Sequence, residues 1–328
     1  MSPDTRILRA LREAGEGGVS GAALAKDLGV SRAAVWNRIE ELRRHGYDIE
    51  ASPHLGYILR GTPDALHGDD LMARLPRNRV LGRDIRVFTE TTSTNDIVEK
   101  LARDGVAEGS VVFAETQTKG RGRMGRQWFS PSGSGLWFSV LLRPKLRPSS
   151  ATQLTVLSAV AVVRAIERET GLKPEIKWPN DIMFGQRKAA GILLELGAEL
   201  DRIRHATLGI GIDVNLDPAS MPPEVREVAT SLSHEAQRPM DRAGLATAVL
   251  RELDHLYQRL GQGDFHEIGD DWMRRCSTLG RRVAITIGDR RITGRAEALD
   301  DEGALLVRTD YGTVERVIGG DVTQEKLP

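Results

Sequence analysis

The chain has 328 residues, 46 of them basic and 46 acidic, so its net charge is zero and a general affinity for polyanions is excluded. Its composition is 40% hydrophobic and 28% charged, which indicates a globular protein of about two or three domains rather than a disordered one. No apolar run approaches the ~20 residues of a membrane span, no signal-peptide core opens the chain, and a single cysteine rules out an internal disulfide, so a cytoplasmic protein without a membrane partner is expected.

The first segment, residues 1–62, reads as three helices and a hairpin. Ile7, Leu8 and Leu11 give Thr5 to Ala14 helical spacing. Ser20 caps a short helix to Leu28, Gly29-Val30 turns the chain, and Ser31 caps a third helix reaching His45. Two helices around a Gly-containing turn are the helix-turn-helix signature, and the alternation from Ile49 to Leu59 around Pro53-His54-Leu55-Gly56 reads as a wing. Val35, Ile39 and Leu42 face inward. Ser31, Arg32, Asn37, Arg38 and Arg43 are the candidates for DNA contact. The segment's near-zero net charge weakens the electrostatic case for DNA. A helical interaction module with a solvated face is the plainer alternative.

The second segment, 63–276, mixes strands and helices, with Pro63 and Gly68 in an expected linker. Ser93-Thr94-Asn95 opens a helix to Arg103. Strands are expected at 110–116 and 136–143, and a long apolar helix from Ala151 to Glu169. Further strands are expected at 175–178, 188–196 and 203–214, and helices near 242–260 and 265–275. Between the first two strands lies Gln117-Thr-Lys-Gly-Arg-Gly-Arg-Met-Gly-Arg-Gln-Trp128, with three glycines, four cations and no carboxylate. From Thr116 to Ile166 there is no Asp or Glu at all. Such a segment reads as a mobile loop closing over an anion, because glycine lets backbone approach a ligand and arginine forks onto phosphate or carboxylate.

Three further motifs follow. Lys177-Trp-Pro-Asn-Asp181 packs a cation, a ring and two polar groups into one turn. Lys188, in Arg187-Lys188-Ala-Ala-Gly191, enters an apolar strand; an edge lysine is the plain alternative. Gly209-Ile-Gly211-Ile-Asp213-Val-Asn215 is a strand whose glycines admit a close neighbour, but it fails as a dinucleotide fingerprint. Cys276 reads as a small buried hydrophobe. The third segment, 277–328, alternates at Val283, Ile285 and Ile287, turns at Gly288-Asp289 and alternates again at Leu305 and Val307, as a small β-barrel would.

The seven histidines show no metal-ligand spacing, so no protein-held metal is expected. Walker-A, kinase and Gly-x-Ser-x-Gly motifs are absent. Many cations with few candidate bases point to electrostatic stabilisation of a phosphorylated species.

Taken in order, Ser93-Thr94-Asn95, Gly120-Arg-Gly-Arg-Met-Gly-Arg126, Lys177-Trp-Pro-Asn-Asp181 and Arg187-Lys188-Ala-Ala-Gly191 resemble the motifs of the bacterial bifunctional biotin–protein ligases and biotin operon repressors. The likeness spans nearly the whole chain. It implies an α+β multidomain fold: an N-terminal winged helix-turn-helix (1–62), a central α+β biotin/lipoate-ligase-like catalytic domain (63–276) and a C-terminal SH3-like β-barrel (277–328). It also implies formation of biotinyl-5′-AMP from biotin and ATP, then biotin transfer to a lysine of the biotin carboxyl carrier protein of acetyl-CoA carboxylase. Mg²⁺ would arrive with ATP. Biotin operator DNA and a ligand-dependent homodimer are the implied regulatory partners.

By the same likeness Ser93, Thr94, Asn95 and Gln117 suit the ureido head of biotin. Gly120, Arg121, Gly122 and Arg123 border its carboxylate and the phosphate. Lys188 and Arg123 offset developing charge, and Asp181 orients or deprotonates the incoming lysine. Arg126, Trp128 and Lys177 are secondary candidates, Trp128 as an adenine-stacking surface. Two positions depart from the family pattern: Met124 where another arginine is common, and Asp213 in place of an asparagine. A lipoate-type ligase and a non-catalytic biotin-sensing regulator are the alternatives.

Overall fold

The computed structural model describes residues 1–324; the expected C-terminal segment runs on to residues outside them. The N-terminal unit holds α1 (Pro3–Ala14), α2 (Gly21–Leu28), α3 (Arg32–Arg44) and the hairpin β1 (Asp48–Ser52)–β2 (Gly56–Gly61). Ser2, Ser20 and Ser31 each accept a backbone N–H at a helix start, and Gly29 ends α2 in the left-handed conformation at φ 70°. Ile7, Leu8, Leu11, Leu24, Val35, Ile39 and Leu42 bury together under the hairpin's Ile49.

The expected linker is instead a helix, α4 (Gly68–Arg74), packed along α1. Asp69 accepts from Thr5 Oγ1 at 2.6 Å, and the buried Asp70 takes Arg12 at 2.5 Å and Arg74 at 2.9 Å. Arg9 donates to the carbonyls of Met72 and Leu75. Short and polar at its start, α4 lacks the periodicity that marks a helix; the charges of α1 hold it.

The central unit is built on a seven-stranded sheet, with β3 (Asp84–Thr91), β4 (Ser110–Gln117), β5 (Gly135–Leu142), β6 (Glu175–Lys177), β7 (Asp181–Phe184), β8 (Arg187–Ala198) and β9 (Ile203–Asp213) in the order β3-β4-β5-β9-β8-β7-β6. β3 and β4 are parallel, joined through α5 (Thr94–Arg103), and every other pair is antiparallel. One face carries α6 (Thr152–Thr170), α9 (Arg242–Gly261) and α10 (Phe265–Arg275), with the short α7 (Pro223–Arg226) and α8 (Leu232–Ala236) between β9 and α9. The segment Pro148–Thr170 is, contrary to expectation, long and apolar enough to cross a membrane, yet 72% of its apolar window is buried in this core. On this face the β9 residues Ala206, Leu208, Ile210 and Ile212 meet the helices. Strand alternation therefore sends Thr207, Gly209, Gly211 and Asp213 to the opposite face, the one that α5 only partly covers.

The C-terminal unit is a five-stranded antiparallel sheet of β10 (Arg282–Ile287), β11 (Arg290–Leu299), β12 (Leu305–Thr309), β13 (Val314–Val317) and β14 (Asp321–Gln324), ordered β13-β12-β11-β10-β14. Val283, Ile285, Leu305 and Val307 join the core of the central unit.

Candidate active site

The half-covered sheet face forms the floor of two adjoining cavities that share Gly122, Arg123, Trp128, Asn180 and Lys188. The inner one is polar and ends at the start of α5. Thr94 donates to Gln117 Oε1 from its N–H at 2.8 Å and from Oγ1 at 3.1 Å. Ser139 Oγ lies 2.6 Å from Thr94 Oγ1 and donates to Asn95 Oδ1 at 2.5 Å, while Asn95 Nδ2 donates to Glu195 Oε2 at 2.6 Å. Gln117 Nε2 donates to Ser130 Oγ at 3.1 Å. Ser93, Thr94, Asn95 and Ser139 are all buried, and these bonds hold the last three in one orientation.

Glycines make this geometry possible. A Cβ on Gly209 would lie 2.4 Å from Asn95 Oδ1. On Gly211 and Gly191 it would strike the Trp128 ring at 2.6 and 2.9 Å. Gly191 and Gly211 face each other across β8 and β9, so the indole lies on a floor without side chains. The same ring packs edge-on to Trp137 at 6.4 Å, and its Nε1–H is buried without a partner among the described residues. Trp128 is therefore a wall clamped between sheet and loop.

The Gly/Arg segment folds as a hairpin here. Trp128 N–H donates to Gly120 O at 2.9 Å and Gly122 N–H to Arg126 O at 2.7 Å, with Met124 at its tip in the left-handed region, φ 56°, and exposed. Arg121 ion-pairs with Asp96 at 2.6 Å and Glu195 at 3.3 Å. Partial burial would lower its guanidinium, but those two carboxylates hold it above the ordinary value. Arg123 lies deeper, where burial lowers its guanidinium despite Asp181 and Asp321. It donates to Asn180 Oδ1 at 3.1 Å and to Gly320 O at 3.3 Å, and Arg126 pairs with Asp321, so the hairpin is fastened to the C-terminal unit.

The outer cavity is larger, about 550 Å³, and Lys177, Lys188, Asp181 and Asp213 line it with Arg123 and Arg126. Lys188 Nζ sits 2.5 Å from Asp181 Oδ1 and 5.0 Å from the centre of the Trp128 ring. A bulge between Ile182 and Met183, with Asp181 opposite Gly191, sets that pair on one side of the sheet. Asp213 is buried, and burial pushes its carboxyl well above the usual range although Lys188 opposes the shift. The residues expected from the motifs thus meet at one place. Those that sequence reasoning missed are Ser139, Glu195 and Ser130, while Asn180 of the Lys177–Asp181 motif turns its Nδ2 to Ile192 O at 2.7 Å.

On the N-terminal unit, Arg32 and Asn37 are exposed on α3 together with Trp36. Ser31 is exposed but serves as the helix cap, and Arg38 faces Asp4 and Glu41. The Arg43 guanidinium donates to Ile49 O at 2.8 Å and pairs with Glu40 at 2.6 Å. It braces the hairpin, because Ile49 O lies within its reach at the helix end.

Comparison with known proteins agrees with this geometry. Family models match at residues 5–58 (HTH domain), 87–213 (Biotin/lipoate A/B protein ligase family) and 278–323 (Biotin protein ligase C terminal domain). The bifunctional ligase/repressor BirA of Bacillus subtilis is 37% identical over 96% of this chain and 97% of its own. That of Escherichia coli is 31% identical over 93% of this chain and 92% of its own. The biotin protein ligase of Aquifex aeolicus, solved in complex with biotin and ATP, superposes with a TM-score of 0.64 at 29% identity, covering 75% of this chain and 100% of that one. The chain belongs to the biotin–protein ligase family, with the helix-turn-helix arrangement of its bifunctional ligase/repressors.

Proposed function

We propose that this protein activates biotin with ATP, transfers it to a lysine of a biotin carboxyl carrier domain, and represses transcription when its adenylate is bound. The observation that carries the proposal is the buried Thr94–Ser139–Asn95–Gln117 network, which opens directly into a cavity lined by Arg123 and Lys188. A ureido ring needs fixed donors and acceptors, and a ligand lacking them leaves buried groups unpaired.

In the first step a carboxylate oxygen of biotin attacks the α-phosphorus of ATP, and pyrophosphate leaves with the bonding pair. Negative charge grows between the two reactants, where Lys188 and Arg123 stabilise it. Mg²⁺ would be held mainly by phosphate oxygens and water and would offset phosphate charge. In the second step the neutral amine of an acceptor lysine attacks the acyl carbon, AMP leaves with the electron pair, and the nitrogen loses its proton. Asp181 accepts that proton: one of its oxygens holds Lys188 and the other is left for the incoming amine. Trp128 and the hairpin exclude water from the mixed anhydride. Arg32, Asn37 and the helix cap at Ser31 present α3 to operator DNA.

A cytoplasmic setting accords with the one half-buried cysteine, whose thiol burial pushes up. Dimerisation on binding the adenylate would align two winged helices on two half-sites. The test is incubation with ATP, Mg²⁺, labelled biotin and a carrier domain. Labelled carrier is expected; no label with biotin, or equal label with lipoate, overturns the proposal. Sedimentation with and without biotinyl-AMP checks the dimer, and an unchanged monomer at micromolar concentration removes it.

A further inference from the structure

The richest unassigned feature is an open cleft of about 610 Å³ where the winged helix meets the central unit. Its walls carry Arg9 and Arg12 from α1, Arg74 and Arg77 at and after the end of α4, and Arg251 from α9, against one carboxylate, Glu13. Asp70 beneath the wall compensates Arg12 and Arg74, and Asp241 adds a longer contact to Arg74 at 3.6 Å. Arg9, Arg77 and Arg251 have no carboxylate partner among the described residues. Arg9 is only 5% exposed, spends its Nη2 on two carbonyls, and keeps a buried Nε–H without a partner.

We propose that this cleft is a binding site for a free polyphosphate anion, held between the DNA-binding unit and the catalytic unit. Guanidinium groups gathered around one cleft repel each other unless an anion joins them, and their planar forks match phosphate oxygens. The volume of the cleft and the spread of its cations over three elements fit more than one phosphate group. None of its walls comes from α3 or the β1–β2 wing, which sets it apart from the surface offered to DNA. Burial first, and then the neighbouring Arg9, lowers the guanidinium of Arg79 close by, although Asp254 opposes the shift. An occupant would join α1 to α4 and α9 and so stiffen the mount of the winged helix.

The probe is sodium tripolyphosphate without Mg²⁺, compared with sodium chloride at matched ionic strength, in thermal unfolding of the full chain. A ligand at roughly ten times its dissociation constant should raise Tm by about 2 °C for a protein of this size. The rise should survive in Lys188→Ala and vanish in Arg77→Gln/Arg251→Gln. If the double variant fails to fold, Arg77→Gln alone, an exposed residue, should still weaken the apparent affinity several-fold. No excess over chloride, or an unchanged rise in the cleft variants, overturns the proposal. A non-specific DNA duplex that displaces tripolyphosphate and loses affinity in the same variants would assign the cleft to DNA backbone and also overturn it.

Discussion

The substitution Gly209→Ala tests the inner cavity with one methyl group. Gly209 is not in the left-handed region, so alanine is allowed by the backbone and would by itself stabilise the strand by about 0.4–1 kcal/mol. Its Cβ, however, falls 2.4 Å from Asn95 Oδ1, roughly 1 Å inside a normal contact. Strand β9 cannot retreat, because β5 and β8 bond it on both sides. Asn95 must move, and with it go the 2.5 Å bond from Ser139 and the 2.6 Å bond to the Glu195 carboxylate. A neutral bond is worth about 1 kcal/mol and one to a charge about 1.5–3, so the displacement outweighs the backbone gain by roughly 2–3 kcal/mol. Because Asn95 lines the proposed biotin pocket, KM for biotin in pyrophosphate–ATP exchange should rise roughly 100-fold, with KM for ATP unchanged. A folded Gly209→Ala protein with unaltered KM for biotin would refute the reasoning.

Other substitutions probe the rest of the molecule. Lys188→Ala should cut adenylate formation by at least ~100-fold in the same exchange assay, as expected for the loss of one electrostatic stabiliser; near-normal turnover would remove the assignment. Burial raises the Asp213 carboxyl well above its unfolded value of ~3.9, so the stability its burial provides is complete below that pH and is lost as pH rises through the elevated folded value. Asp213→Asn should therefore raise Tm at pH 8 and leave it unchanged near pH 3.5, whereas a pH-independent gap would contradict the raised carboxyl. Arg43→Ala should destabilise the winged helix by about 1–3 kcal/mol, seen by denaturant titration, through the unpaired Ile49 carbonyl. Arg32→Ala should leave stability alone and reduce the salt slope of DNA binding by about 1.

What could be read from the sequence followed from local rules. Serine caps, the Gly29 turn and 3.6-residue spacing gave the three N-terminal helices, and long apolar periodicity gave α6. The motifs Ser93-Thr94-Asn95, Gly120–Arg126 and Lys188 named a site that the fold does bring together. The elements that escaped were β3, β7, α4, α7, α8, β13 and β14, which are short, polar or held by distant partners. Ser139 looks like any small residue in an apolar strand until the sheet puts it 2.5 Å from Asn95, 44 positions earlier. At Arg43 a helix face predicts exposure but not the carbonyl waiting at the start of the wing.

The interlocking of α1 with α4 bears on any attempt to separate the two activities. A fragment beginning after the wing would keep Asp69 and Asp70 but lose Ser2, Thr5, Arg9 and Arg12 that now satisfy them or cap the carbonyls beside them. Two neighbouring carboxylates and a bare helix end would be left facing water beside Ala73, which now packs into the N-terminal core. A headless ligase cut from this chain would thus carry a frayed seam, and new residues on α4 would have to mend it before its turnover could be compared with that of the whole protein.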